Sequence, residues 1–162
     1  MKSASGLSLV LALSLFAACS GGDPVENARQ MLAAGQLVEA VEMASRYLER
    51  GADDNPKTRW ALERIRLEAL ARDAEGDRAF EILEGLAPKY PAQVDAPLYL
   101  TTAAWARAAG DAAGATRILD GGKKRFPAQA GQFTAAIDEI KRAAGEMDPA
   151  TTERLRSLGY LE

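Results

Sequence analysis

No histidine occurs in the 162-residue chain, and cysteine occurs once. Without histidine, Ser-His-Asp and Cys-His catalysis, His-ligated zinc and a histidine pH switch are excluded. A single cysteine rules out a disulfide within the chain, so stability must come from packing. Aromatic residues make up only 6%, which leaves a core of aliphatic side chains and alanine. Positive charge is not in excess: 20 Lys+Arg stand against 23 Asp+Glu, for a formal net charge of −3. Nucleic-acid binding, which needs a concentrated basic surface to neutralise phosphates, is not expected. Valine and isoleucine are sparse and no Asn-Gly turn occurs, so no convincing strand is found.

Catalytic and metal motifs are missing as well. There is no P-loop, no GxSxG and no EF-hand loop. Gly121-Gly122-Lys123-Lys124 has neither the glycine spacing nor the Ser/Thr of a phosphate loop and reads as a helix end. Carboxylates are many but scattered, and Asp53-Asp54 sit in an Asn-Pro turn where such residues serve the turn itself. The expectation is a protein that is not an enzyme and holds no cofactor or metal. What the chain does have is 48% hydrophobic residues, enough for a core, in a length that suits one domain or one short repeat array.

The first segment reads as an address. Lys2 is followed by an apolar stretch from Leu7 to Phe16, short for a membrane-spanning helix, which needs about 20 apolar residues. Small residues Ala17-Ala18 then precede the cysteine. Phe16-Ala17-Ala18-Cys19 resembles a bacterial lipobox, departing from it at Phe16, where leucine is commonest. The resemblance implies a lipoprotein signal peptide over 1–18, cleavage before Cys19, and lipid on the Cys19 thiol. Small residues let the backbone enter the peptidase, and the thiol accepts the lipid. Ser20 stands where Asp would retain such a protein at the inner membrane, so the resemblance implies an outer-membrane lipoprotein facing the periplasm. Residues 19–24 would be a flexible tether.

From Val25 onward the apolar residues recur at helical spacing, and Ala, Leu, Glu and Arg dominate. Gly35, Asp53 to Pro56, Gly76-Asp77, Pro88, Pro91, Pro97, Gly110-Asp111, Gly121-Gly122, Pro127, Gly145, Asp148-Pro149 and Gly159 cut the chain into helix-length segments. Gly76-Asp77 and Gly110-Asp111 are 34 residues apart. With Tyr99, Thr102-Ala103, Ala106, Ala115, Leu119 and Pro127 at the matching places, the third helix pair resembles a tetratricopeptide repeat (TPR). Thr102 and Ala106 are smaller than that family prefers. Ala28, Met31, Gly35, Ala40, Ala44 and Tyr47 fit the same places in the first pair. In the middle pair Ile65, Ala69 and Ala79 fit, but Glu68 and Arg72 fall where apolar residues are expected, and the turn to Ala79 is two residues short.

The resulting expectation is an all-α, TPR-like array of helical hairpins over 25–147, about three pairs plus C-terminal capping helices. The segment from Ala128 to Ala144 reads as a closing helix with Phe133, Ile137 and Ile140 on one face. Residues 148–162 read as a capping helix or docking tail, with Leu155, Leu158, Tyr160 and Leu161 packed on the array. Leu155 to Leu161 also resembles a short ending seen in some bacterial repeat proteins and sulfatase-type hydrolases, though the sulfatase nucleophile motif is absent.

The TPR resemblance implies a concave groove lined by the first helix of each pair. It points Arg29 and Leu32, Arg66 and Leu70, and Leu100, Ala104 and Arg107 into that groove, for a protein or peptide that is apolar and bears acidic residues. Trp60, Trp105, Tyr47 and Tyr99, at helical spacing among Ala and Leu, read as packing residues. The implied function is a lipid-anchored scaffold or adaptor in envelope assembly, serving pilus, outer-membrane protein or cell-wall machinery. The alternatives are an envelope hydrolase or its accessory subunit, and a secreted soluble TPR scaffold.

Overall fold

Residues 22–50, 55–144 and 149–160 are described by the computed structural model. The expected signal segment 1–18, the Cys19 anchor and most of the tether lie outside them, as do Asp53, Asp54, Gly145, Asp148 and Leu161. Among the described residues no strand occurs, and the fold is all-α. The helices are α1 (Pro24–Ala33), α2 (Leu37–Arg50), α3 (Pro56–Arg72), α4 (Gly76–Leu86), α5 (Ala96–Ala108), α6 (Ala112–Arg125), α7 (Ala130–Ala144) and α8 (Pro149–Ser157). A 3-10 turn over Pro127–Gln129 precedes α7.

Several residues that read as breaks are helix starts. Asp23 accepts a hydrogen bond from the Val25 N–H at 2.9 Å, so Pro24 opens α1 rather than closing the tether. Asn55 caps α3 through the Lys57 N–H at 3.0 Å, and Asp95 caps α5 through the Leu98 N–H at 2.9 Å. Proline has no N–H to lose in a first helical turn, and its fixed φ suits the helix entry.

One turn recurs three times. In each case an N–H donates to the carbonyl five residues back, around a residue in the left-handed region. The bonds are Gln36 to Met31 around Gly35, Glu75 to Leu70 around Ala74, and Asp111 to Ala106 around Gly110. Gly159 closes α8 the same way, with Tyr160 bonded to Leu155. The middle turn therefore hinges on Ala74 (φ 57°), not on Gly76, and the 34-residue spacing joins two glycines with different roles. This frame shifts the middle pair by two residues. Leu67 and Leu70 take the buried places of Ala28 and Met31, and of Ala103 and Ala106, while Glu68 and Arg72 fall outside the core. In the second helices, Ala40, Ala79 and Ala115 occupy the same place and are all fully buried.

Consecutive helices pack as antiparallel neighbours, α3 lies between α1 and α5, and α4 lies beside α6. The turns at Gly35, Ala74 and Gly110 thus lie at one end of the molecule. The starts of α1, α3 and α5 and the finishes of α2, α4 and α6 lie at the other. Helices α7 and α8 both pack on α6, burying Phe133, Ile137, Ile140 and Leu155. Leu158, expected in that packing, is 51% exposed, because the left-handed turn at Gly159 carries Tyr160 rather than Leu158 back onto the core.

The contact between α4 and α6 is made by backbone. A Cβ at Gly76 would stand 2.7 Å from the Gly114 Cα. Between them lies the buried carboxylate of Asp111, which accepts the Gly76 N–H and the Gly114 N–H, each at 2.9 Å. Gly121 and Gly122, which read as a break, lie inside α6, where their missing side chains admit the rings of Phe80 and Phe133. Phe126 is edge-on to Tyr99 at 5.6 Å. The Tyr99 ring is fully buried, and its hydroxyl donates to Glu84. Burial first, then the Glu84 hydrogen bond, pushes its ionisation above the usual phenol range.

Two substitutions test these features by urea or thermal denaturation. Gly76→Ala drives a methyl into α6 backbone and the Asp111 carboxylate, and should destabilise the protein by about 2–3 kcal/mol. Ala74→Gly relieves the left-handed alanine and should stabilise it by about 0.5–1 kcal/mol, a sign rarely produced by adding glycine.

Candidate functional site: hollows between the helices

Three hollows hold the residues singled out from sequence. The first lies between α1 and α3, encloses about 450 Å³, and is lined by Arg29, Leu32, Trp60, Arg64, Ile65 and Glu68. The second, about 440 Å³, lies between α5 and α7 and is lined by Leu100, Ala104, Arg107, Ala136, Glu139 and Ile140. Counted from their shared turn, Arg29 and Leu32 occupy the places of Ala104 and Arg107. The same helix face therefore lines both hollows.

Arg66 and Leu70 are not in either. They line a third hollow of about 380 Å³ between α2 and α4, together with Glu49, Glu63, Glu81 and Lys89. The reason is the two-residue shift fixed by the Ala74 turn. In that frame the counterparts of Leu100 and Ala104 are Arg64 and Glu68, and Leu70 takes the core place of Ala106. A leucine 1% exposed is a packing residue before it is a contact residue. No glycine marks the middle turn, so spacing alone could not reveal Arg64, Ile65 and Trp60 as lining residues. Ala136, Glu139 and Ile140 belong to the closing helix, outside the three pairs from which a groove was read.

Exposure sorts the remaining residues. Arg29, Ala104 and Arg107 are exposed, Leu100 is half-buried, and Leu32 is mostly covered. Arg107 donates to Glu139 at 2.9 Å, an exposed ion pair that ties α5 to α7 across the second hollow. Such pairs contribute little to stability, which leaves the Arg107 guanidinium available for exchange to another carboxylate. In the third hollow Glu63 lies 3.6 Å from Arg66, and its Oε2 has no hydrogen-bond partner. At that distance the contact is coulombic rather than a hydrogen bond.

The tryptophans behave as mixed groups. Trp60 is half-buried, packs against Tyr90 with ring centroids 5.1 Å apart, and shows its other side to the first hollow. Trp105 is half-buried against the larger core, and Tyr47 against the smaller one formed by α1, α2 and part of α3. Among the described residues no group of three or more Cys, Asp or Glu side chains is placed to hold a metal ion. No helix among them is long and apolar enough to cross a membrane.

Compared with known proteins, the chain matches no family model, no curated protein and no solved structure.

Leu70→Ala should cost about 2–5 kcal/mol, as a core truncation does. Arg107→Ala should cost less than about 1 kcal/mol. Chemical denaturation of the two variants separates packing from surface roles among residues that the sequence places in one groove.

Proposed function

We propose that this chain is a TPR-like scaffold, held by lipid on Cys19 at the outer membrane and facing the periplasm, that binds a protein or peptide partner along α1, α3, α5 and α7. Its role would lie in envelope assembly, at pilus, outer-membrane protein or cell-wall machinery. The observation that carries the reading is the pair of hollows lined at corresponding places of α1 and α5. A surface repeated along a stack of helices presents the same chemistry at successive intervals to one long ligand. The recurrent Schellman-type turn and the buried alanine at one place of α2, α4 and α6 support the TPR-like arrangement. They also supply the close helix approach that such stacking needs.

The lining chemistry selects the ligand. Leu32, Trp60, Ile65 and Leu100 offer apolar area, and Arg29, Arg64 and Arg107 offer guanidinium groups around it. A partner face with apolar anchors flanked by acidic side chains fits both. Lipid attachment would hold this surface near the membrane and raise its effective concentration toward a second membrane component.

Affinity capture from detergent-solubilised envelopes should recover a defined partner set with the wild-type chain. Ala104→Glu with Arg107→Glu reverses the charge in the second hollow and should weaken recovery roughly ten-fold, the effect of losing about 1.4 kcal/mol. Unchanged recovery with an intact helical spectrum would contradict binding at this face. Metabolic labelling with palmitate reads the anchor separately: wild type should be labelled and Cys19→Ala should not.

A further inference from the structure

The charges of this protein are sorted along its helix axes. At the end where α1 begins, and where the preceding chain must therefore enter, stand Arg50, Lys57, Lys89, Lys123, Lys124 and Arg125, all exposed. Lys124 is paired with Asp120. The described carboxylates at that end are Asp23 and Asp95, which cap α1 and α5, and Glu49. Asp53 and Asp54 belong to the α2–α3 connector and lie outside the described residues. The opposite end, with the three recurrent turns, carries Glu39, Asp73, Glu75, Asp77 and Asp111 against Arg72 and Arg78. A chain of net charge −3 thus keeps its cations at one pole.

Helix dipoles explain part of this sorting, since Arg50 and Lys123 to Arg125 sit in the last turns of α2 and α6, where positive charge is favoured. They do not explain Lys57. It lies in the first turn of α3, which has no acidic residue, and a cation there opposes the dipole. Nor do they explain Lys89, which follows the end of α4 in a connector.

We propose that this basic pole docks on an anionic phospholipid surface, with the three turns directed away from it. The proposal rests on the lipid-anchor reading for its geometry: Cys19 is only a few residues from Pro24, so an acyl chain there would bring this pole, and no other, to the headgroups. Each Lys or Arg close to an anionic bilayer adds a modest attraction that salt screens. Docking by the pole would set the helix axes upright and leave the hollows between helices open to the side, reachable by a partner without competition from the membrane.

Lysine acetylation read by mass spectrometry tests the orientation on the processed chain as isolated. Lys57, Lys89, Lys123 and Lys124 report the basic pole, and Lys141, near the end of α7, reports the other end. With vesicles containing about 30% phosphatidylglycerol, acetylation of the first group should slow roughly three-fold or more, recover at about 0.5 M salt, and leave Lys141 unchanged. Arg50→Gln with Arg125→Gln should weaken that protection. Equal rates at both ends would overturn the proposal. So would equal slowing by pure phosphatidylcholine vesicles, or the same slowing by inorganic phosphate at matched ionic strength, which would mean a phosphate site instead of a surface. The mass of the same sample reports acylation of Cys19. An acylated chain without the footprint overturns the docking and leaves the anchor; an unacylated chain with it overturns the anchor and leaves the docking.

Discussion

The Asp111 carboxylate is bonded to the backbone of two helices at once. One oxygen caps α6 through Gly114, and the other accepts the first N–H of α4 at Gly76. Both groups are helix-start donors that would otherwise need water, and both ends carry the positive pole of a helix dipole. A buried anion between them is therefore compensated without a salt bridge. The arrangement works only because the two residues it joins are glycines; a methyl on either would displace the carboxylate or the facing backbone. From this contact α4 and α6 are fixed side by side, α5 is held against both, and Phe133 and Leu155 complete the core from α7 and α8.

No counterpart of this bridge joins α2 to α4. Glu75 occupies the place of Asp111 in the preceding pair, but its longer side chain turns to Arg78 instead. Helices α2 and α4 stay apart, and the gap is the third hollow, floored by Leu70 and edged by charged groups. The core divides accordingly. One cluster of α1, α2 and part of α3 is joined to the larger one chiefly through α3, whose Leu62, Ile65 and Ala69 face the first while Leu67, Leu70 and Ala71 face the second. A helix buried on two faces shows little amphipathic contrast, which is why α3 was the hardest to place from its pattern.

The sequence was most legible where chemistry and position coincide. The all-α fold followed from helical spacing and from the shortage of β-branched residues. Gly35, Gly110 and Gly159 marked left-handed turns because few other residues adopt that conformation cheaply. Ala74 escaped notice for the converse reason: tertiary packing holds an alanine where the local preference is for glycine, and the eye passes to Gly76 two residues later. That slip moved Arg66 and Leu70 into the wrong hollow and hid Arg64. Pro24, Pro56 and Pro97 were legible as boundaries but not as starts, since a proline alone does not say on which side of it the helix lies. Gly76, Gly114, Gly121 and Gly122 were not legible as contact residues, because what fills the space beside a glycine comes from distant chain.

Amide hydrogen exchange at Gly76 measures the bridge most directly. The first N–H of a helix is ordinarily open to solvent and exchanges fast. Here it should be protected to nearly the level of the α4 and α6 interiors, and that protection should vanish in Asp111→Ala while the helices persist. Rapid exchange of Gly76 in the wild-type protein would show that α4 and α6 are not joined by Asp111, and the packing built on that junction would be wrong.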